Sequence, residues 1–124
     1  MGAGKGMTCH DLKGGIGSSS RLVEIGGETF TVGVLVLTNH GCLHDLTIGG
    51  ENVGKAIEHR IREDTPDEGS CIMIVGTDLP VTSRQLGRII RRCSVGLARL
   101  GSYIGHGSGE VFLGFSTTNR VPHE

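Results

Sequence analysis

The junction Gly69-Ser70 is the first place where residue types and position together offer chemistry. An acidic, proline-containing stretch, Glu63-Asp64-Thr65-Pro66-Asp67-Glu68, ends there and the apolar run Cys71–Val75 begins. A hydroxyl would thus stand where an exposed loop meets a buried strand. Scission before Ser70 would free an α-amino group, whose ordinary pKa is about 7.7–8.0. That value suits a general base at neutral pH, and a serine activated by its own terminal amine is a known nucleophile. Spacing alone favours the plainer reading, a serine at the start of a strand, because Ser beside Gly is common.

Two other clusters carry ligand or phosphate chemistry. Gly2-x-Gly4-x-Gly6 resembles a phosphate cradle, but the strand, loop, helix order and the Gly-Lys-Ser/Thr ending of a P-loop are missing. His40-Gly41-Cys42-Leu43-His44-Asp45, together with Cys9 and His10, holds zinc-ligand residue types. No C-x-x-C or H-x-x-x-H pair accompanies them, so loop and core roles are the better reading, and no metal or other cofactor is expected.

These residues need elements to hold them. Phe30–Thr38 is rich in β-branched residues and reads as a strand buried on both faces; Cys71–Val75 is a second buried strand and Val111–Phe115 a third. Leu46–Ile48 suggests a short strand and Val53–Arg62 a weak helix. The opening Gly2–Gly17 reads as a loop system. Ser83–Leu100 is the clearest helix, with Thr82 and Gln85 spaced as a capping box and Gly101 at its stop. Leu86, Ile89, Ile90, Cys93, Leu97 and Leu100 make its apolar stripe. Strands around a helix predict a layered α/β (α+β) architecture in a single domain.

Composition narrows the class of function. Twelve Lys plus Arg against 13 Asp plus Glu leave a net charge of −1, which argues against nucleic acid or an anionic membrane as the main partner. No apolar run approaches the ~20 residues of a spanning helix. Four dispersed cysteines point to a reducing, cytoplasmic compartment rather than a disulfide framework. Glycine is the outlier: 22 of 124 residues, about 18% against an ordinary value near 7%. With only four Phe and Tyr in all, the core must be built from Val, Ile, Leu and Ala around close backbone contacts.

Several segments, in order, resemble the DmpA-type or β-peptidyl aminopeptidases, a self-processing group with an Ntn-hydrolase-like fold. They are Gly4-x-Gly6-Met7-x-Cys9-His10, Lys13-Gly14-Gly15-Ile16-Gly17-Ser18-Ser19-Ser20-Arg21, Thr31-Val32-Gly33-Val34-Leu35-Val36, Asn39-His40-Gly41, Gly69-Ser70-Cys71-Ile72, Gly76-Thr77-Asp78-Leu79-Pro80 and Gly107-Ser108-Gly109-Glu110-Val111-Phe112-Leu113. Each is weak alone, and the ordered set is specific.

The resemblance implies that Ser70 is the nucleophile freed by self-cleavage after Gly69. It implies that Ser108 and Glu110 orient that nucleophile and that Asn39 helps stabilise the oxyanion. The glycines of Lys13–Gly17 would let backbone approach the site closely. The implied activity is release of N-terminal residues from short peptides, amides or esters. The implied fold is part of an αββα sandwich, and the implied assembly a homo-oligomer of processed pairs. The family's chain is longer and this one aligns with its middle, so 1–69 is expected to be the end of an α-piece and 70–124 the start of a β-piece. Tyr103 does not match the tyrosine that joins the family's oxyanion site. An inactive fragment or assembly partner of such an enzyme is the alternative.

Overall fold

A computed structural model describes residues 2–58, 69–107 and 109–123. Thr8–Cys9 (β1) and Leu12–Lys13 (β2) form a small hairpin, followed by the long strands Ile16–Ile25 (β3) and Glu28–Asn39 (β4). Gly26 and Gly27 join β3 to β4 at φ 63° and 84°, the left-handed backbone that a two-residue hairpin turn demands. Next come a 3₁₀ turn at Leu43–Asp45, the short pair Thr47–Ile48 (β5) and Glu51–Asn52 (β6), and the helix Gly54–Glu58 (α1). Ser70–Thr77 (β7) leads through the helices Ser83–Ile90 (α2) and Arg92–Arg99 (α3) to Gly109–Ser116 (β8).

The four long strands make one sheet in the order β3-β4-β7-β8. Its first three strands pair antiparallel, whereas β7 and β8 run parallel. A parallel pair needs a crossover, and α2 and α3 supply it along one face of the sheet. Glycine at position 114 lets α2 come close, because a Cβ there would lie 2.7 Å from Ile90 Cδ1. Cys71, Met73 and Leu97 are buried between the layers, with Val34, Val36, Cys93 and Phe112 packed around them. No helix among the described residues is long and apolar enough to cross a membrane.

The mixed α/β class expected from the sequence is thus observed, with several corrections. Neither central strand is buried on both faces: β7 is buried on one face only, and every residue of β4 is half-buried or exposed. Along β7, Cys71, Met73 and Val75 are buried, while Ile72 on the other face is 38% exposed and its neighbours Val111, Leu113 and Phe115 are more than half or half exposed. A strand, β3, stands where the sequence reads as loop and unassigned chain; its Ser18-Ser19-Ser20-Arg21 segment lacks apolar alternation because β3 is an exposed edge. The long helix is two helices that meet at Arg91, and Leu100 falls beyond them, exposed. The capping box is present: Thr82 N–H donates to Gln85 Oε1 at 2.9 Å and Gln85 N–H to Thr82 Oγ1 at 3.3 Å. The helix expected over Val53–Arg62 is seen at Gly54–Glu58, and its remaining positions from 59 lie outside the described residues, as does the loop 63–68.

Candidate active site

Three strand ends meet on one rung of the sheet. Asn39, the last residue of β4, is the register partner of Ser70, the first of β7, and Ser70 is in turn the partner of Gly109, the first of β8. Directly opposed residues present their side chains on the same face, so the Asn39 amide and the Ser70 hydroxyl share one side of the sheet. Ser70 is exposed, and its Oγ accepts a long hydrogen bond, 3.4 Å, from the Gly109 N–H.

Local packing explains two of the residue types. A Cβ on Gly69 would collide with the backbone carbonyl of Asn39, so only glycine lets the chain enter β7 against the end of β4. Its φ is not in the left-handed region, so close approach rather than backbone strain selects glycine here. The Asn39 side chain is oriented by the β1–β2 hairpin: the Thr8 N–H donates to Asn39 Oδ1 at 3.1 Å. With its oxygen so engaged, the amide has the Nδ2 hydrogens left as donors. Next to it, His10 and His40 are buried with rings edge-on, centroids 5.5 Å apart, and the His10 backbone N–H donates to the His40 carbonyl at 2.8 Å.

Glu110 sits one residue further along β8, beside Cys71 rather than beside Ser70, and therefore on the helix-covered face. Its Oε1 is buried and has no hydrogen-bond partner among the described residues. Ser108 lies outside the described residues. The structure thus gathers Asn39, Gly69 and Ser70 and leaves Glu110 beneath them. An open cleft of about 650 Å³, lined in part by Lys13, Gly15, Val34, Val36 and Thr38, lies on that same helix-side face; neither Ser70 nor Asn39 lines it. Of the zinc-ligand residue types, Cys42, His44 and Asp45 bring their ligand atoms within 4.8 Å of one another. His44 Nε2 already pairs with Asp45 Oδ2 at 3.3 Å.

Sequence reading missed the backbone N–H groups of Thr8 and Gly109. A main-chain donor leaves no mark in residue type, so only the strand register could reveal them.

The thiol beside the site has a measurable signature. Burial pushes the Cys71 thiol up to about 11, with nearby Cys9, Glu110 and Cys93 adding to the effect. A thiol raised on folding keeps its proton in the native state where the unfolded chain has lost it. Stability is therefore full below the unfolded pKa of about 8.5 and falls as pH rises towards the folded value. Denaturation midpoints measured from about pH 8 to pH 11 should decline, and Cys71→Ala should decline less steeply.

Comparison with known proteins adds to this geometry. The sequence pattern described as Peptidase family S58 matches residues 1–124. The beta-peptidyl aminopeptidase BapA of Sphingosinicella xenopeptidilytica is 42% identical over 98% of this chain and 33% of its own length. The crystal structure of the PH0078 protein from Pyrococcus horikoshii OT3 superposes with a TM-score of 0.82 at 50% identity, covering 95% of this chain and 32% of that one. The L-aminopeptidase D-Ala-esterase/amidase of Ochrobactrum anthropi, described as a prototype serine aminopeptidase and a variant of the Ntn-hydrolase fold, gives 0.81 at 44% identity, over 94% and 31%. The chain therefore spans about a third of the length of the relatives it matches.

Proposed function

This chain belongs to peptidase family S58, and we propose that it carries the nucleophile and oxyanion donor of a self-processing serine aminopeptidase. Its substrates would be short peptides, amides or esters with a free N-terminal residue. The observation that carries this reading is the shared rung of Asn39 and Ser70, with Gly69 immediately before the hydroxyl.

Processing comes first. Ser70 Oγ attacks the Gly69 carbonyl carbon, the Gly69–Ser70 C–N bond breaks, and the hydroxyl proton passes to the departing nitrogen. Water then hydrolyses the resulting Gly69 ester, leaving a Gly69 carboxylate and a Ser70 with free hydroxyl and α-amine. In each later turnover the neutral α-amine takes the Ser70 hydroxyl proton as Oγ attacks the substrate carbonyl. The same proton goes to the leaving amine, and water opens the acyl-enzyme. The Asn39 Nδ2 hydrogens face the charge that develops on the carbonyl oxygen, where a fixed donor is most effective. Glu110, whose buried Oε1 has no partner among the described residues, would help to orient the nucleophile from the opposite face of the sheet, one register position beyond Ser70. Ser108, beside Gly109, would help to orient the nucleophile.

The test is an aminoacyl-nitroanilide mixed rapidly with the processed protein. A burst of nitroaniline equal to the concentration of Ser70 termini, followed by slower turnover, is the expected result. Absence of both burst and turnover would favour the inactive-fragment alternative.

A further inference from the structure

The Lys13 ammonium faces three carbonyl oxygens: Gly14 at 2.6 Å, Met7 at 3.0 Å and Gly4 at 3.1 Å. Three ammonium hydrogens are thereby matched by three acceptors, although the residue as a whole is exposed. The Met7 carbonyl also accepts from the Gly14 N–H at 2.9 Å. That carbonyl belongs to the same peptide unit as the Thr8 N–H, the group that holds Asn39 Oδ1. A peptide unit is planar and trans, so its C=O and N–H point in opposite directions and fixing one end fixes the other. Glycine at position 14 tightens the arrangement, since a Cβ there would lie 2.5 Å from the Thr8 carbonyl group. Lys13 is also the cross-strand partner of Thr8.

We propose that Lys13 is a positioning residue for Asn39, acting through the Met7–Thr8 peptide; this rests on the reading of Asn39 as the oxyanion donor. The ammonium anchors the carbonyl end of that peptide and polarises it, which makes the Thr8 N–H a stronger donor. The Thr8 N–H in turn keeps Asn39 Oδ1 facing the hairpin and Nδ2 facing the substrate. Without the anchor the amide can turn over, and its oxygen would then oppose the developing oxyanion.

Two measurements test the link. In the 124-residue chain, Lys13→Met should speed hydrogen exchange at the Thr8 amide by about 10-fold or more while the amides of Val34–Val36 and Met73–Val75 keep their protection. This needs no turnover, so it decides the question even if the catalytic reading fails. In the active protein, Lys13→Met should lower kcat by about 10- to 100-fold with little change in KM. In an Asn39→Ala background it should cause no further loss. Thr8 exchange at the wild-type rate, or an equal fall in kcat with and without Asn39, overturns the proposal. Should Lys13→Met not fold, Lys13→Arg should retain Thr8 protection and Lys13→Gln lose it; equal protection in the two overturns it as well. Full activity in Ser70→Ala would instead sink the catalytic reading and leave the exchange result standing.

Discussion

Ser70→Ala is expected to leave the Gly69–Ser70 bond whole and to lower aminoacyl hydrolysis by at least about 10⁴-fold, the scale on which removal of a hydroxyl nucleophile acts. Both losses come from one atom. In the proposed mechanism the Oγ makes the ester that breaks the chain, and it makes the acyl-enzyme in every later turnover. The α-amine that would serve as base does not exist until the first event has happened, so an uncut chain lacks nucleophile activation as well as an exposed terminus. The substitution is mild for the fold: Ser70 is exposed, and among the described residues its Oγ has the single, long hydrogen bond of 3.4 Å from the Gly109 N–H. Intact-mass measurement separates the states, because scission of this chain yields pieces of 69 and 55 residues. A wild-type protein that hydrolyses peptides while remaining a single uncut chain would sink the terminal-nucleophile mechanism.

How much of this was legible beforehand differs between elements for physical reasons. β4 and β7 announce themselves through runs of Val, Ile and Leu, and α2 through Thr82 and Gln85, because each owes its form to local pattern or capping. β3 is silent: an edge strand with Ser18, Ser19 and Ser20 buries too little to impose alternation. The break at Arg91 also has no marker, since neither proline nor glycine occupies it. At the site, Ser70 was singled out by its place between loop and strand, but its partnership with Asn39 lies 31 positions back along the chain. Antiparallel register creates that contact, and no spacing rule encodes it. Resemblance to a family points to both residues, and the sheet makes them register partners. The same register sets Glu110 beside Cys71, one residue beyond Ser70 and on the other face, which residue type alone does not reveal.

Asn39→Asp should slow acylation by about 10²–10³-fold or more, and it tests the oxyanion role more cleanly than alanine does. Alanine removes the donor, yet it also strips the Thr8 N–H of its acceptor and unties the β1–β2 hairpin from the end of β4. Aspartate keeps an oxygen where Oδ1 stands, so the Thr8 hydrogen bond at 3.1 Å has its acceptor and the hairpin stays in place. What changes is the other end of the group: the two hydrogens that the proposed mechanism turns towards the developing O⁻ are replaced by a second oxygen sharing a negative charge. Ground-state binding should change little, because the substrate carbonyl is still neutral, while the transition state loses its donor and gains a repulsion. The effect should therefore fall on the acylation rate, read as the burst phase with an aminoacyl-nitroanilide, and should be smaller in KM. Lowering the pH until the aspartate takes up a proton restores an O–H donor, but it also protonates the Ser70 amine, so rescue should be partial at best. An Asn39→Asp protein that acylates at the wild-type rate would remove Asn39 from the oxyanion site and leave it a residue that ties β4 to the β1–β2 hairpin.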